Sequence, residues 1–372
     1  VHRLQFHYTL SRDSSPAQVR NPLIDLLQAL SAQGSISAAA RGLGLSYRHV
    51  WGELKRWEAE LGNELVVWEK GQSARLTPFG SKLMWAERQA QARLAGQIEA
   101  LRGDLERAFA VAFDPQAHVV TLYASHDDAL AALREQALEP HRLHLDIRFC
   151  GSVDAIRGLN EGRCVMAGFH TLQHPQAGSR AERIYKPLLQ PGLHKIIGFA
   201  QRTQGFMVAP GNPLALYTLR DLQQRRARFV NRALGTGTRV VLEELLSQDG
   251  LAPSDIVGFD HTEPSHTAAA LCVASGAADA GLGIEVAARA QGLDFVPLVQ
   301  ENYHLVCLKS ALDDPAVRAL RTLLQSAAWQ QTLADIAGYT PSRCGEVLSL
   351  RAMLPWWSFA RKKKEHLAAH TP

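Results

Sequence analysis

The sequence predicts an α/β fold in which a small, mostly helical domain precedes a larger domain of alternating strands and helices. Three observations carry that prediction. Residues 21–110 place apolar side chains at helical spacing, with only two short β-type runs among them. Residues 117–308 repeat short apolar runs that end in Ser, His, Thr or Gly and lead into helical patterns. Hydrophobic residues make up 46% of the 372, against 20% charged, a globular composition. The spacing divides the chain into domains at 1–112 and 117–345 and a basic tail at 346–372.

Composition excludes several classes. No apolar run approaches the roughly 18 residues a membrane span needs. The stretch from Val1 to Tyr8 alternates and has no apolar signal core, so no export signal is expected. Cys150, Cys164, Cys272, Cys307 and Cys344 are far apart and form no Cys-x-x-Cys pair. That pattern argues against a disulfide framework and a spaced zinc motif, and fits a reducing cytoplasm. Net charge is only +4, but residues 1–112 carry +3 and residues 361–372 another +3, leaving the middle at −2. Basic ends around a near-neutral body permit nucleic-acid contact.

In the first domain, residues 3–10 alternate as a short strand and Asp13–Pro16 breaks it. A helix starts at Asn21-Pro22, with Leu23, Leu26, Leu27 and Leu30 as its apolar stripe. Gly34-Ser35 opens a short helix whose inward residues are Ala39, Ala40 and Leu43. Gly44 makes the turn, Leu45 is expected in the core, and Ser46 caps a longer helix. In that helix Val50, Leu54, Trp57 and Leu61 form one arc. The opposite arc presents Tyr47, Arg48, Gly52 and Lys55, flanked by His49 and Arg56. Cations around a residue without a side chain suit close approach to a duplex: Arg48 toward a guanine edge, Lys55 or Arg56 toward phosphate. The alternative is an amphipathic surface helix with solvated cations.

Residues 64–78 then read as two β-type runs around a turn at Gly71, a wing that carries Lys70 and Arg75 toward DNA backbone or minor groove. After Thr77-Pro78 comes a long helix with a seam at Leu83, Ala90, Leu94, Ile98, Leu101, Leu105 and Phe109. It is expected to dimerise over residues 78–110, the alternative being packing on the chain's own second domain. From Asn21 to about Phe109 the sequence resembles the winged helix-turn-helix shared by LysR-type regulators and molybdate-responsive ModE-type regulators. Residues 46–51 resemble the ModE-type recognition helix more than the usual LysR one, and residues 74–80 the wing-to-helix junction of both. The resemblance implies a dimer on a two-fold related double-stranded DNA operator.

In the second domain, strands are expected at Val119–Ala124, Leu143–Phe149 and Val165–Phe169, ending in Ser125, Ser152 and His170 respectively. Ligands bind at such carboxyl ends in open α/β sheets, and helix N-termini there favour anions. A strand at Phe229 enters the turn Gly235–Arg239, where Thr236, Gly237, Thr238 and Arg239 present amides, hydroxyls and a cation. The alternative is a tight turn with capping threonines; no Walker loop or dinucleotide fingerprint follows. Later strands are expected at Ala277–Ile284, Phe295–Leu298 and Tyr303–Leu308, with Tyr303 near a crossing between lobes. Trp356 and Trp357 are expected to dock the tail.

Residues 117–345 resemble the bilobal type II periplasmic-binding-protein fold, in the subgroup related to molybdate-type oxyanion receptors. The resemblance rests on Ser125–Asp127, Gln204–Pro213, Asn231-Arg232 with Gly235–Arg239, and Ala274–Ile284. It implies lobe 1 at about 117–198 plus 301–345 and lobe 2 at about 199–300. It implies a site lined by Ser125, Ser152, Thr236, Thr238 and Tyr303, with His170, Arg232 and Arg239 as further candidates. Those cationic candidates depart from molybdate receptors, which rely on neutral hydroxyls and amides, and open the site to a small carboxylate such as formate. No cofactor or metal is expected, only a bound small anion as effector. An enzyme using His126-Asp127 is the competing class, but the sequence holds no nucleophile elbow, metal-spaced His/Glu set or cofactor fingerprint. His126-Asp127 reads instead as a helix cap with an ion pair. A transport receptor would lack the DNA-binding domain.

Overall fold

A computed structural model of the protein describes residues 21–68, 73–114, 116–138 and 142–357. The strand expected at residues 3–10, its break at Asp13–Pro16, the wing turn with Lys70 and Gly71, and the cations Arg361–Lys364 lie outside the described residues.

The first domain contains α1 (Pro22–Gln33), α2 (Ile36–Gly42), α3 (Tyr47–Leu61), β1 (Val66–Val67), β2 (Arg75–Leu76) and α4 (Pro78–Phe113). Side chains of Asn21, Ser35 and Ser46 cap the first three helices, and Gly34 and Gly62 end α1 and α3 in the left-handed conformation. Leu27, Leu30, Ala39, Ala40, Val50 and Leu54 form the core. Leu43 and Leu45, expected inside, are each 38% exposed, because α2 stops before Leu43 and the turn carries both outward. Glu58 accepts hydrogen bonds from the amides of Leu65 and Val66, tying the wing to α3. Thr77 Oγ1 donates to the Glu64 carbonyl and accepts from the Gly80 amide, which starts α4 at the foot of the wing. A Cβ at Gly80 would lie 2.4 Å from the Leu65 carbonyl oxygen, so only glycine fits there.

The second domain runs β3 (His118–Ala124), α5 (Asp128–Leu138), β4 (Leu143–Phe149), α6 (Ser152–Asn160), β5 (Met166–Leu172), α7 (Arg180–Tyr185) and β6 (His194–Val208). It continues with α8 (Leu219–Arg225), β7 (Phe229–Arg232), α9 (Gly237–Gln248), β8 (Thr262–Glu263), α10 (His266–Ala274), β9 (Ala280–Ile284) and α11 (Glu285–Ala290). Last come β10 (Asp294–Leu308), α12 (Pro315–Gln325), α13 (Ala327–Ala334), β11 (Tyr339–Pro341), β12 (Val347–Ser349) and α14 (Leu350–Met353). One mixed sheet has the order β4-β3-β5-β10-β6-β9-β7-β8, with β11 and β12 also on β6.

The two 15-residue strands β6 and β10 are the crossings between lobes. They pair antiparallel from His194–Leu308 to Val208–Asp294. Lobe 1 lies where β10 joins β5 at residues 301–307, and lobe 2 where β6 joins β9 at residues 204–208. The strands expected separately at Phe295–Leu298 and Tyr303–Leu308 are therefore one. The first crossing falls after Thr203, later than the boundary at 198, because β11 still holds β6 at residues 200–202. Residues 346–357, expected to begin the tail, belong to lobe 1: β12 pairs with β6, and Leu348, Leu350, Leu354 and Trp356 are buried in its core.

Helix α4 is 36 residues long, roughly 54 Å at ~1.5 Å per residue. Its first turns join the core of the first domain through Leu83, Met84 and Trp85. It then crosses both lobes of the second. Gln89 donates to the Ala268 carbonyl, Ala92 packs on Ala268 and Leu271, and Arg93 pairs with Glu263, all in lobe 2. Further along, Glu99 pairs with Arg134, Arg102 with Glu135, Asp104 with Arg148 and Arg107 with Asp146, all in lobe 1. The seam residues Leu94, Leu101, Leu105 and Phe109 stay 37–56% exposed on the other side. The helix thus packs on its own second domain and still presents an apolar seam. Among the described residues no helix is long and apolar enough to cross a membrane.

Candidate functional site

On α3, Tyr47, Arg48, His49, Gly52, Lys55 and Arg56 are all exposed, as is Ser46, whose hydroxyl accepts from the His49 amide as the cap. The cations differ in what holds them. Lys55 pairs with Glu58 and lies over the Trp51 ring; Arg56 pairs with Glu53 and Glu60 and lies over Trp57. Arg48 has no ion-pair or hydrogen-bond partner among the described residues. Gly52 has nothing within 4 Å of an added Cβ, so its flat surface serves no packing need inside the chain. Arg75 is exposed on the wing strand opposite Val67.

In the second domain, Ser125, His126, Gly151, Arg232, Thr236, Pro264 and Ser265 line a cavity of about 360 Å³ between the lobes. Ala92, Arg93, Gly96, Gln97 and Ala100 of α4 supply another wall. Ser125 and His126 precede α5, Gly151 caps α6, Thr236 caps α9 and Ser265 caps α10. Four helix N-termini therefore border one cavity, and their amide dipoles favour negative charge in it.

Arg232 is the centre of this site. It is 1% exposed. Its Nη2 donates to the Pro264 carbonyl at 2.9 Å, while Nε and Nη1 have no partner among the described residues. Burial, then the charge of Arg202, push its guanidinium down to about 9, against the pull of Asp127. A buried guanidinium with two free donors is costly unless an acceptor arrives. Ser125 Oγ, Tyr303 OH, His266 Nδ1 and both nitrogens of His170 also lack partners. Burial, then neighbouring arginine charge, hold His170 and His266 well below the usual imidazole range, so both rings are neutral.

The lobes touch beside the cavity. A Cβ on Gly151 would lie 2.8 Å from the Gly235 carbonyl oxygen, and one on Gly237 would lie 2.6 Å from the His170 ring. Two glycines, one per lobe, allow this closed approach. Beneath it, Arg202 joins Asp127 and Glu301 and donates from Nη1 to Tyr339 OH at 3.3 Å, and that hydroxyl donates to Asp127 at 2.7 Å. Asp127 also accepts from the Ala129 amide, so it is both cap and ion-pair partner, as its sequence position implied. His126 rests on Phe149, ring centroids 4.7 Å apart.

Several expected ligand residues stand elsewhere. His170 lies inside β5, paired with Tyr303, rather than at a strand end. Ser152 is fully buried beside the Tyr185 phenol and does not line the cavity. Thr238 accepts from Gln204 Nε2 at 3.0 Å within the hinge. Arg239 pairs with Glu243 at 2.8 Å, donates to the Phe259 carbonyl and stacks on the Phe259 ring at 3.9 Å. Thr236 lines the cavity, but its hydroxyl donates to the Ala233 carbonyl and accepts from the Arg239 amide. Tyr303 is buried against Phe199 and His170 in the crossing strand. The α4 wall and the Arg202 cluster were missed. Charged residues in the middle of apolar strands β6 and β10 were the available signal.

Residues 133–325 match the family profile of the PBP superfamily domain, and residues 23–81 that of the bacterial regulatory helix-turn-helix protein, lysR family. The uncharacterized protein YvgK of Bacillus subtilis (strain 168) is 31% identical over 221 residues, 59% of this chain and 70% of its own. An uncharacterized protein in the 5′ region of a 2Fe-2S ferredoxin gene of Clostridium pasteurianum is 31% identical over 111 residues, 30% of this chain and 98% of its own. Among solved structures, the LysR family transcriptional regulator CbnR is 17% identical with a TM-score of 0.39, covering 81% of this chain and 98% of its own.

Proposed function

This chain belongs to the PBP superfamily and carries a lysR-family regulatory helix-turn-helix ahead of that domain, and from that premise we propose that it is a cytoplasmic transcription regulator whose DNA binding is controlled by a small anion. The observation that carries the anion is Arg232: buried, partnered on one nitrogen only, and set where four helices begin. A molybdate-like oxyanion or a small carboxylate such as formate supplies the missing acceptor, with Ser125 as a neutral donor beside it.

DNA meets the exposed face of α3. Arg48 reads a base edge, Gly52 lets the helix approach, and Lys55, Arg56 and Arg75 meet phosphates. A second copy of the chain covers the seam Leu94–Leu101–Leu105–Phe109, so that two α3 helices meet a two-fold related operator. Control runs through α4. Because that helix grips both lobes, any change in lobe angle must break or shift its ion pairs at Arg93, Arg102 and Arg107. The anion moves this equilibrium only by its preference for the closed arrangement.

The test is calorimetry of the full chain against molybdate, tungstate, sulfate, phosphate, formate and other small carboxylates. One anion is expected to bind at one per chain and to be lost in Arg232→Met and weakened in Ser125→Ala. Absence of binding across the panel, with the protein folded, overturns the anion reading while leaving the helix-turn-helix untouched.

A further inference from the structure

Three residues within a twelve-residue stretch meet behind the α4 contact with lobe 2. His261 precedes and Glu263 ends the two-residue edge strand β8, and their side chains meet. Cys272 reaches them from α10. Cys272 Sγ lies 3.4 Å from Glu263 Oε1, and His261 Nε2 lies 3.9 Å from the same oxygen. All three ligand atoms fall within 4.8 Å of one another. Tetrahedral sites built from sulfur at ~2.3 Å and nitrogen or oxygen at ~2.0 Å have edges of roughly 3.3–3.6 Å, so the Cys272–Glu263 edge fits and the exposed His261 ring needs only to swing inward. Glu263 and Cys272 are buried, while His261 is exposed, which leaves an entry path.

We propose that His261, Glu263 and Cys272 form a binding site for a zinc-class divalent cation, and that the cation competes with Arg93 of α4 for the Glu263 carboxylate. One imidazole nitrogen, one carboxylate and one thiolate are a donor set that zinc, cobalt and nickel share, with a fourth position for water. Arg93 holds both Glu263 oxygens, at 2.6 and 2.9 Å. An arginine and a divalent cation repel each other, so the cation and Arg93 compete for the charge of one carboxylate. Binding therefore deprotonates Cys272, releases one proton to solvent and frees Arg93. Gln89, one turn before Arg93 on α4, donates to Cys272 Sγ at 3.4 Å, so α4 also touches the thiol ligand. The site would thus loosen the grip of α4 on lobe 2 from outside the anion cavity, reaching its wall only through Arg93.

Cobalt makes the site visible. The full chain, stripped of metal with a chelator, is titrated with Co²⁺ under reducing conditions and then with Zn²⁺ in competition. One Co²⁺ per chain is expected, with a thiolate-to-cobalt band in the near ultraviolet that Zn²⁺ abolishes. Cys272→Ser should remove the band. His261→Ala, a change at an exposed position that leaves the core intact, should weaken binding. Arg93→Ala should tighten binding roughly two- to fivefold, the worth of a partly exposed ion pair, where a merely structural role for the cluster predicts no gain. No saturable binding in the native chain, a thiolate band that survives in Cys272→Ser, or weaker binding in Arg93→Ala would each overturn the proposal.

Discussion

Arg48 on α3 and Arg232 in the cleft both have guanidinium nitrogens without an acceptor, yet the two vacancies mean different things. Arg48 is exposed, and water solvates it at no cost. Its position, one turn from an open glycine on an amphipathic helix, is what gives it meaning. Arg232 is 1% exposed, so its Nε and Nη1 can be met only by a ligand, a protein group or a water held in the cavity. A surface cation states a possibility; a buried one states a requirement. The helix-turn-helix is therefore read by pattern, and the cleft by unmet chemistry.

That contrast can be broken most directly at Arg232. Arg232→Met should lower anion affinity by roughly 100-fold, the cost of removing one member of a buried charged pair. Without anion, its melting temperature should not fall, because an uncompensated buried charge has gone. A drop in melting temperature without anion would mean that Arg232 is structural. Arg48→Ala should cost about 1–3 kcal/mol of operator affinity and leave anion binding and melting unchanged. If affinity falls equally on all sequences and the salt slope shrinks, Arg48 touches phosphate instead of a base.

Proton linkage sharpens the cleft side. His170 and His266 are held well below the usual range, and burial holds His304 down at about 4. The unfolded chain takes up these protons near pH ~6.5 and the folded chain does not. Stability should then fall as pH drops below that value, by up to about 1.4 kcal/mol per pH unit for each ring until its folded pKa is reached. Burial lowers His126, His144 and His194 as well, while Asp128, raised by burial to about 6, and Glu87 and Glu301, also raised by burial, work in the opposite direction, three carboxyls against six rings. Scanning calorimetry between pH 7 and 5 checks the sign; a flat profile would mean that the rings are protonated in the fold. The smallest effect belongs to Gly52→Ala. It should stabilise α3 by about 1 kcal/mol while weakening operator binding severalfold, a split that a merely structural glycine cannot produce.

Much of this was legible in the sequence. Capping residues Asn21, Ser35, Ser46, Thr236 and Ser265 mark helix starts because their side chains serve local amides, a short-range rule. A strand end followed by a helix start points to Ser125 and the family resemblance to Arg232, and both line the cavity. The same rule failed one residue further on. Thr238 and Arg239 sit inside the first turn of α9, and each step of about 100° turned them to Gln204 and Phe259. Strand β6 was passed over because Gln201, Arg202, Thr203 and Gln204 break its apolar pattern where it crosses between lobes. Pro297 and Glu301 divided β10 in the same way. The seam of α4 was legible as apolar periodicity, but periodicity cannot say that its opposite face would wall a cleft 170 residues away in the chain.

That wall bears on how the protein can be dissected. A fragment beginning at residue 117 would keep every strand of the sheet and lose Ala92, Gly96 and Ala100 from the cavity rim. It would also leave Glu263 and Arg134, both buried here, without Arg93 and Glu99. If the cleft binds the proposed anion, such a fragment would hold it in an opened vestibule, with off-rates and selectivity of its own. Affinities measured on it would describe a different receptor from the one that sits behind the DNA-binding head.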